Sequence, residues 1–125
     1  MIKKNLLSIS VAIIILALSL ASANNFNKLS LRLFPGIDKV AHFMMYLGFM
    51  SVIIFENRKS ILNQYQLILV ALIPFFYGGL MELLQIFITS TRSGSLSDML
   101  FNGLGIIAAG LCFYFSRFFR NNPFT

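Results

Sequence analysis

Residues 66–88 read QLILVALIPFFYGGLMELLQIFI, an apolar stretch in which Glu82 is the single charged side chain. A helix needs about 20 such residues to cross the hydrocarbon of a bilayer, and this run is long enough. Peptide groups in lipid have no water to bond, so a segment of this kind must satisfy them internally as a helix. Pro74 is expected to kink it, and Gly78-Gly79 to let a neighbouring helix come close.

Three more stretches of the same kind flank it, at residues 6–23, 38–55 and 97–116. The connections at 24–37, 56–65 and 89–96 are short and carry turn residues, Pro35-Gly36 in the first and Gly94 in the third. Hydrophobic residues make up 58% of the chain and charged ones 11%, against roughly 25% charged in soluble domains. So few charges could not keep that much apolar surface in water. The sequence therefore predicts an all-α, polytopic transmembrane bundle of about four helices, with residues 1–125 forming one domain. A net charge of +6 invites a nucleic-acid partner, but the basic residues lie singly and in pairs between apolar runs. No basic stripe or aromatic-basic platform is present, so no nucleic-acid binding is expected. Cys112 is the sole cysteine; an intrachain disulfide is excluded, and an inert packing role is expected.

The first stretch has two readings. Lys3-Lys4, an apolar run and Ala21-Ser22-Ala23 match a secretory signal with an A-x-A cleavage site. The apolar run is longer than the 7–15 residues typical of a signal core, which favours a retained helix. Orientation follows from Lys and Arg. Lys3, Lys4, Arg58, Lys59, Arg117 and Arg120 fall on one side, and Lys28, Arg32, Lys39 and Arg92 on the other. That bias predicts a bacterial cytoplasmic-membrane protein with both termini in the cytoplasm. Tyr65, Tyr114 and Phe118-Phe119 would then anchor at the cytoplasmic interface.

Threading the chain this way gathers its polar residues. Asp38 and His42 open the second helix from the outer side, Glu82 and Gln85 end the third, and Asp98 and Asn102 open the fourth. At 1.5 Å per residue each lies within about 10–12 Å of the outer boundary. Arg92 lies in the outer loop, whereas Glu56 belongs to the cytoplasmic loop beside Arg58 and Lys59. Helical spacing puts Asp38, His42, Met45, Tyr46 and Phe49 on one face, and Gly78, Glu82, Gln85 and Thr89 on another. On the fourth helix Asp98, Asn102, Gly105, Ala109, Cys112 and Ser116 form a stripe of small or polar residues, opposite Leu100, Leu104, Ile107 and Leu111. Small residues let membrane helices approach and polar ones avoid lipid. The stripe should face the bundle, with a polar pocket at its outer mouth.

Asp38-Lys39-x-x-His42-Phe43-x-x-Tyr46, Glu82-x-x-Gln85, Arg92 and Asp98-x-x-x-Asn102-x-x-Gly105 together resemble the VanZ-like family of small membrane proteins. The likeness spans about residues 36–110, and the first helix fits it only as an apolar segment. The resemblance implies a multi-helix membrane protein, and a setting in which the founding type is linked to low-level resistance to the glycopeptide teicoplanin. It implies no reaction.

Each polar residue also has a structural explanation. Glu82 could make only an interhelical hydrogen bond, although an ionisable group inside a span costs about 2.5 kcal/mol or more and points to function by default. Asp38, Ser97 and Asp98 could be N-caps, His42 a contact with Asp38, and Arg92 a snorkelling side chain. Function is favoured because all of them converge on one pocket. Asp38, Lys39, His42, Tyr46, Glu82, Gln85, Arg92, Asp98 and Asn102 are therefore the candidate ligand-binding residues, with Asp38, His42 and Glu82 the candidates for acid–base catalysis. Gly103-x-Gly105 and Gly78-Gly79 are packing devices rather than phosphate loops. Three carboxylates and a histidine could ligate a metal, but no HExxH or CxxC spacing supports one, and no metal or other cofactor is expected. The expected partners are membrane lipids, a lipid head group or a lipid-linked wall precursor above all, with a homo-oligomer left open. Binding of such a head group leads, an enzyme acting on it comes second, and transport last, since no inverted repeat of broken helices is visible.

Overall fold

The computed structural model describes residues 5–21, 37–88 and 96–121, leaving aside the side chains of residues 19–21, 37, 38 and 88. Four helices run through them: α1 (Leu6–Ala21), α2 (Ile37–Asn57), α3 (Gln64–Ile88) and α4 (Leu96–Asn121). No strand occurs among the described residues. Helices α2, α3 and α4 are each long and apolar enough to cross a membrane, while α1 is a shorter apolar helix. Its 16 residues reach about 24 Å at 1.5 Å per residue. The chain is an all-α, multi-pass membrane bundle.

The exterior is apolar and the interior mixed, as a lipid solvent demands. Ile13, Phe76, Leu83, Leu100 and Ile107 are exposed, whereas Tyr46, Met50, Ile53 and Ile106 are buried beside five polar side chains. Lipid tails are as apolar as leucine, so helices here associate through close packing and hydrogen bonds. The most extensive interface joins α2 to α4, and Gly105 makes it possible. A Cβ at Gly105 would collide with the Phe43 carbonyl oxygen and come within 2.9 Å of the Leu47 backbone nitrogen. The two backbones touch there.

Several helix ends differ from the expected ones by one to five residues, and polar contacts account for two of them. α3 begins at Gln64 rather than residue 66, because Asn63 and Gln66 form a capping box. The Gln66 N–H donates to Asn63 Oδ1 (3.0 Å), and Gln66 Oε1 accepts from the Asn63 N–H (3.3 Å) and the Leu62 N–H (2.6 Å). α4 continues past Ser116 to Asn121, where Arg117 Nη1 donates to the Ile61 carbonyl and ties the helix to the α2–α3 turn. α3 is one continuous helix across Pro74, which is buried.

Glu56 departs from its expected place in a loop. It stands in the last turn of α2 and accepts hydrogen bonds from the Leu7 N–H (2.7 Å), the Ser8 N–H (3.1 Å) and the Ser8 hydroxyl. A carboxylate is favourable at a helix N-terminus, where unpaired N–H groups and the macrodipole present positive charge. Tyr77 adds a second anchor by donating to the Ala12 carbonyl, and Ile15 is buried in the core. α1 is thus built into the bundle against α2 and α3. Among the described residues it does not touch α4.

That gap explains a further departure. The inward stripe of α4 holds for Asp98, Asn102, Gly105 and Ala109, which are buried, but Cys112 and Ser116 are exposed. The helical phase is the expected one. What is missing is a neighbour to cover the second half of α4, since α1 has gone to α2 and α3.

Candidate functional site

Three helices bring polar side chains to one end of the bundle. His42 lies in the second turn of α2, Glu82 and Gln85 in the last two turns of α3, and Asp98 and Asn102 in the first two turns of α4. Counted at 1.5 Å per residue, each is about 3–9 Å from the end of its helix. All five are buried, at 0–4% exposure. Tyr46, one turn after His42, is buried beneath them and packs edge-on against Phe49, whose ring meets Tyr77 at 5.4 Å.

The geometry centres on His42. Its Nδ1 lies 2.9 Å from Asn102 Oδ1, so with this amide orientation the ring donates from Nδ1 and keeps a lone pair on Nε2. Nε2 faces Asp98 Oδ2 at 3.9 Å, beyond hydrogen-bonding distance. One ligand atom each from His42, Glu82 and Asp98 lie within 4.8 Å of one another. Asp98 occupies the first turn of α4, where the helix N-terminus favours its negative charge. The Tyr46 hydroxyl, Asp98 Oδ1 and Asn102 Nδ2 are buried without a hydrogen-bond partner among the described residues. Gly78 makes room for this arrangement: a Cβ there would stand 3.1 Å from Asn102 Nδ2 and 3.2 Å from the Tyr46 ring.

An apolar groove of about 510 Å³ leads to the cluster between α3 and α4. Phe76, Gly79, Leu80, Leu83, Leu96 and Met99 line it, and Glu82 is the one charged wall residue among the described residues. Several of these side chains are exposed, so the groove opens sideways on the apolar flank of the bundle. Another cleft, near Ile61 and Arg117, lies at the opposite end and contains none of the cluster.

Of the residues singled out from the sequence, the fold brings His42, Tyr46, Glu82, Gln85, Asp98 and Asn102 together. Lys39 is half-buried in the first turn of α2. The Asp38 side chain and the whole of Arg92 lie outside the described residues, and so does any contact between Asp38 and His42. Sequence reading missed the groove, whose walls are ordinary apolar residues one helical turn apart on two helices. Gly79 was its one hint, as a gap where a side chain would otherwise fill the space.

No curated protein and no solved structure matches the chain. Residues 3–119 match the VanZ/LLP1 family, a span that takes in the first three helices, α4 up to its last two residues, and every residue of the cluster. The chain belongs to the VanZ/LLP1 family of membrane proteins.

Proposed function

We propose that this protein recognises the polar head group of an envelope lipid, or of a lipid-linked wall precursor, at its His42–Glu82–Asp98 end. The lipid would lay an acyl chain along the α3–α4 groove. The observation that carries this reading is the double membership of Glu82, which belongs to the buried cluster and also borders a groove open to lipid. A lipid has that same division, one apolar chain joined to one polar head. Lys39 and Arg92 would supply cationic contacts to a phosphate or carboxylate. Asp38, Tyr46, Gln85, Asp98 and Asn102 would meet hydroxyl or amide groups. The charge bias supports a placement in which this end would lie on the outer face of the bacterial cytoplasmic membrane, with both termini inside.

The test is mass spectrometry of lipids retained through purification. Glu82→Gln and a Glu82→Gln, Arg92→Ala double variant should lose a lipid class that the wild type keeps. Gly79→Phe should lose it too, because a Cβ at Gly79 meets only Met99 Cε at 3.8 Å and a larger ring would fill the groove. Unchanged lipid content in all three variants overturns the reading. A role in low-level glycopeptide resistance is a proposal resting on family membership alone. Removing the gene should then lower the teicoplanin concentration that stops growth.

One observation favours a second reading, an enzyme acting on the same head group. His42 is held in one tautomer by Asn102 and so has the form of a general base, with Glu82 desolvated nearby as the acid. Purified protein in vesicles would then change lipid composition, and His42→Ala would not. No turnover across a broad panel of envelope lipids removes it.

A further inference from the structure

We infer that His42, Glu82 and Asp98 form a binding site for one divalent cation of the zinc or manganese class. The three side chains come from three helices, yet one ligand atom of each lies within 4.8 Å of the other two. Metal–ligand bonds of about 2.0–2.2 Å put two ligands of one ion roughly 3–4 Å apart. The 3.9 Å between His42 Nε2 and Asp98 Oδ2 suits such a pair, though it is too long for a hydrogen bond. Shifts below an ångström bring the third ligand in.

The surroundings have the features of a ligand set. Asn102 Oδ1 accepts from His42 Nδ1, which leaves Nε2 as the donor atom and fixes the ring, as the outer shell of histidine-ligated metals does. Asp98 is 4% exposed, has no Lys or Arg partner among the described residues, and keeps Oδ1 without a hydrogen-bond donor. A buried carboxylate in that condition is expensive unless a cation or proton neutralises it. A divalent ion would supply the positive charge that Asp98 lacks among the described residues. The imidazole selects against calcium and magnesium, which prefer all-oxygen shells. Cys112 is remote on the exposed half of α4, so no thiolate takes part. Three protein ligands leave a coordination position open. A head-group phosphate oxygen filling it would rest on the function proposed above; the ion site itself does not. An ion on Nε2 also occupies the lone pair that the general-base reading needs, so one molecule cannot use both.

The experiment takes the full chain in lipid-free detergent, stripped with a chelator, and titrates Zn²⁺ against a colorimetric competitor. The expected result is one Zn²⁺ per chain, with affinity at least tenfold lower in Asp98→Asn and in His42→Ala. Asn102→Ala should weaken binding by about 10–100-fold through the lost orienting bond. Glu56→Gln, at the other end of the bundle, should bind as wild type does. Co²⁺ added to the wild type should give the visible absorption of a nitrogen–oxygen site, a readout that needs no variant to fold. Absence of stoichiometric Zn²⁺ in the wild type overturns the inference. So does wild-type affinity in either ligand variant. Because no lipid is present, failure here leaves the lipid-retention result standing, and failure there leaves this one.

Discussion

Gly105 shows how little tolerance the central contact has. A methyl group there meets the backbone of α2 rather than a flexible side chain, so relief requires moving a helix. Overpacking of this kind typically costs about 1–3 kcal/mol. Gly105→Ala should lower unfolding stability in detergent by that amount, and it should separate His42 from Asn102. Gly110→Ala is the matched control: nothing lies within 4 Å of its added Cβ, and alanine is the better helix former. Equal stability of the two variants would refute the close approach. At this scale the sequence was informative where one helix decides the outcome. The spacing of Asp98, Asn102, Gly105 and Ala109 marks an inward face, and all four are buried. Cys112 and Ser116 continue the same phase yet are exposed, because their burial depends on where α1 packs. No residue within α4 records that.

Helix ends depend on polar atoms, and here the apolar runs were a poor guide. The start of α3 is set by the reciprocal bonds of Asn63 and Gln66, and Asn63 reads as loop when only hydropathy is weighed. Asn63→Ala should destabilise the bundle by about 1 kcal/mol and Asn63→Asp by much less, as measured by reversible unfolding. Glu56 is a harder case. Its partners at Leu7 and Ser8 are separated from it by 49 and 48 positions, and beside Arg58 and Lys59 it looks like one more loop charge. A Glu56→Ala, Tyr77→Phe double variant removes both polar anchors of α1. Amide hydrogen exchange at Leu7 and Ser8 should then quicken while that of α2 and α4 stays slow. Uniform protection in the double variant would show that apolar packing alone holds α1.

The whole molecule is where the sequence was most legible. Long apolar runs joined by short polar connections leave few alternatives to a membrane bundle, and the VanZ/LLP1 match covers residues 3–119. The gathering of His42, Glu82 and Asp98 was also foreseeable, since alternating passages send the start of α2, the end of α3 and the start of α4 to one side. What alternation could not foretell is how close they come, because that depends on the α2–α4 contact at Gly105. In a Cys112→Ala background, thiols introduced at Lys39 and Ser95 should react from the same compartment, and one at Lys59 from the opposite compartment. Labelling of Lys39 and Ser95 from different sides would break the threading and disperse the cluster.

The pairing of α2 with α4 also bears on how the chain is made. His42 and Asn102 are 60 positions apart, so α2 leaves the ribosome well before its main partner exists. A lone aspartate near the middle of an inserting helix is disfavoured by about 2.5–3.5 kcal/mol, and by less toward the ends. α4 carries Asp98 and Asn102, and both find shelter only against the earlier helices, α2 above all. Efficient biogenesis therefore calls for the insertion machinery to hold the earlier helices nearby until translation reaches the last one. A nascent chain stalled before α4 should stay bound to the translocon instead of drifting into lipid.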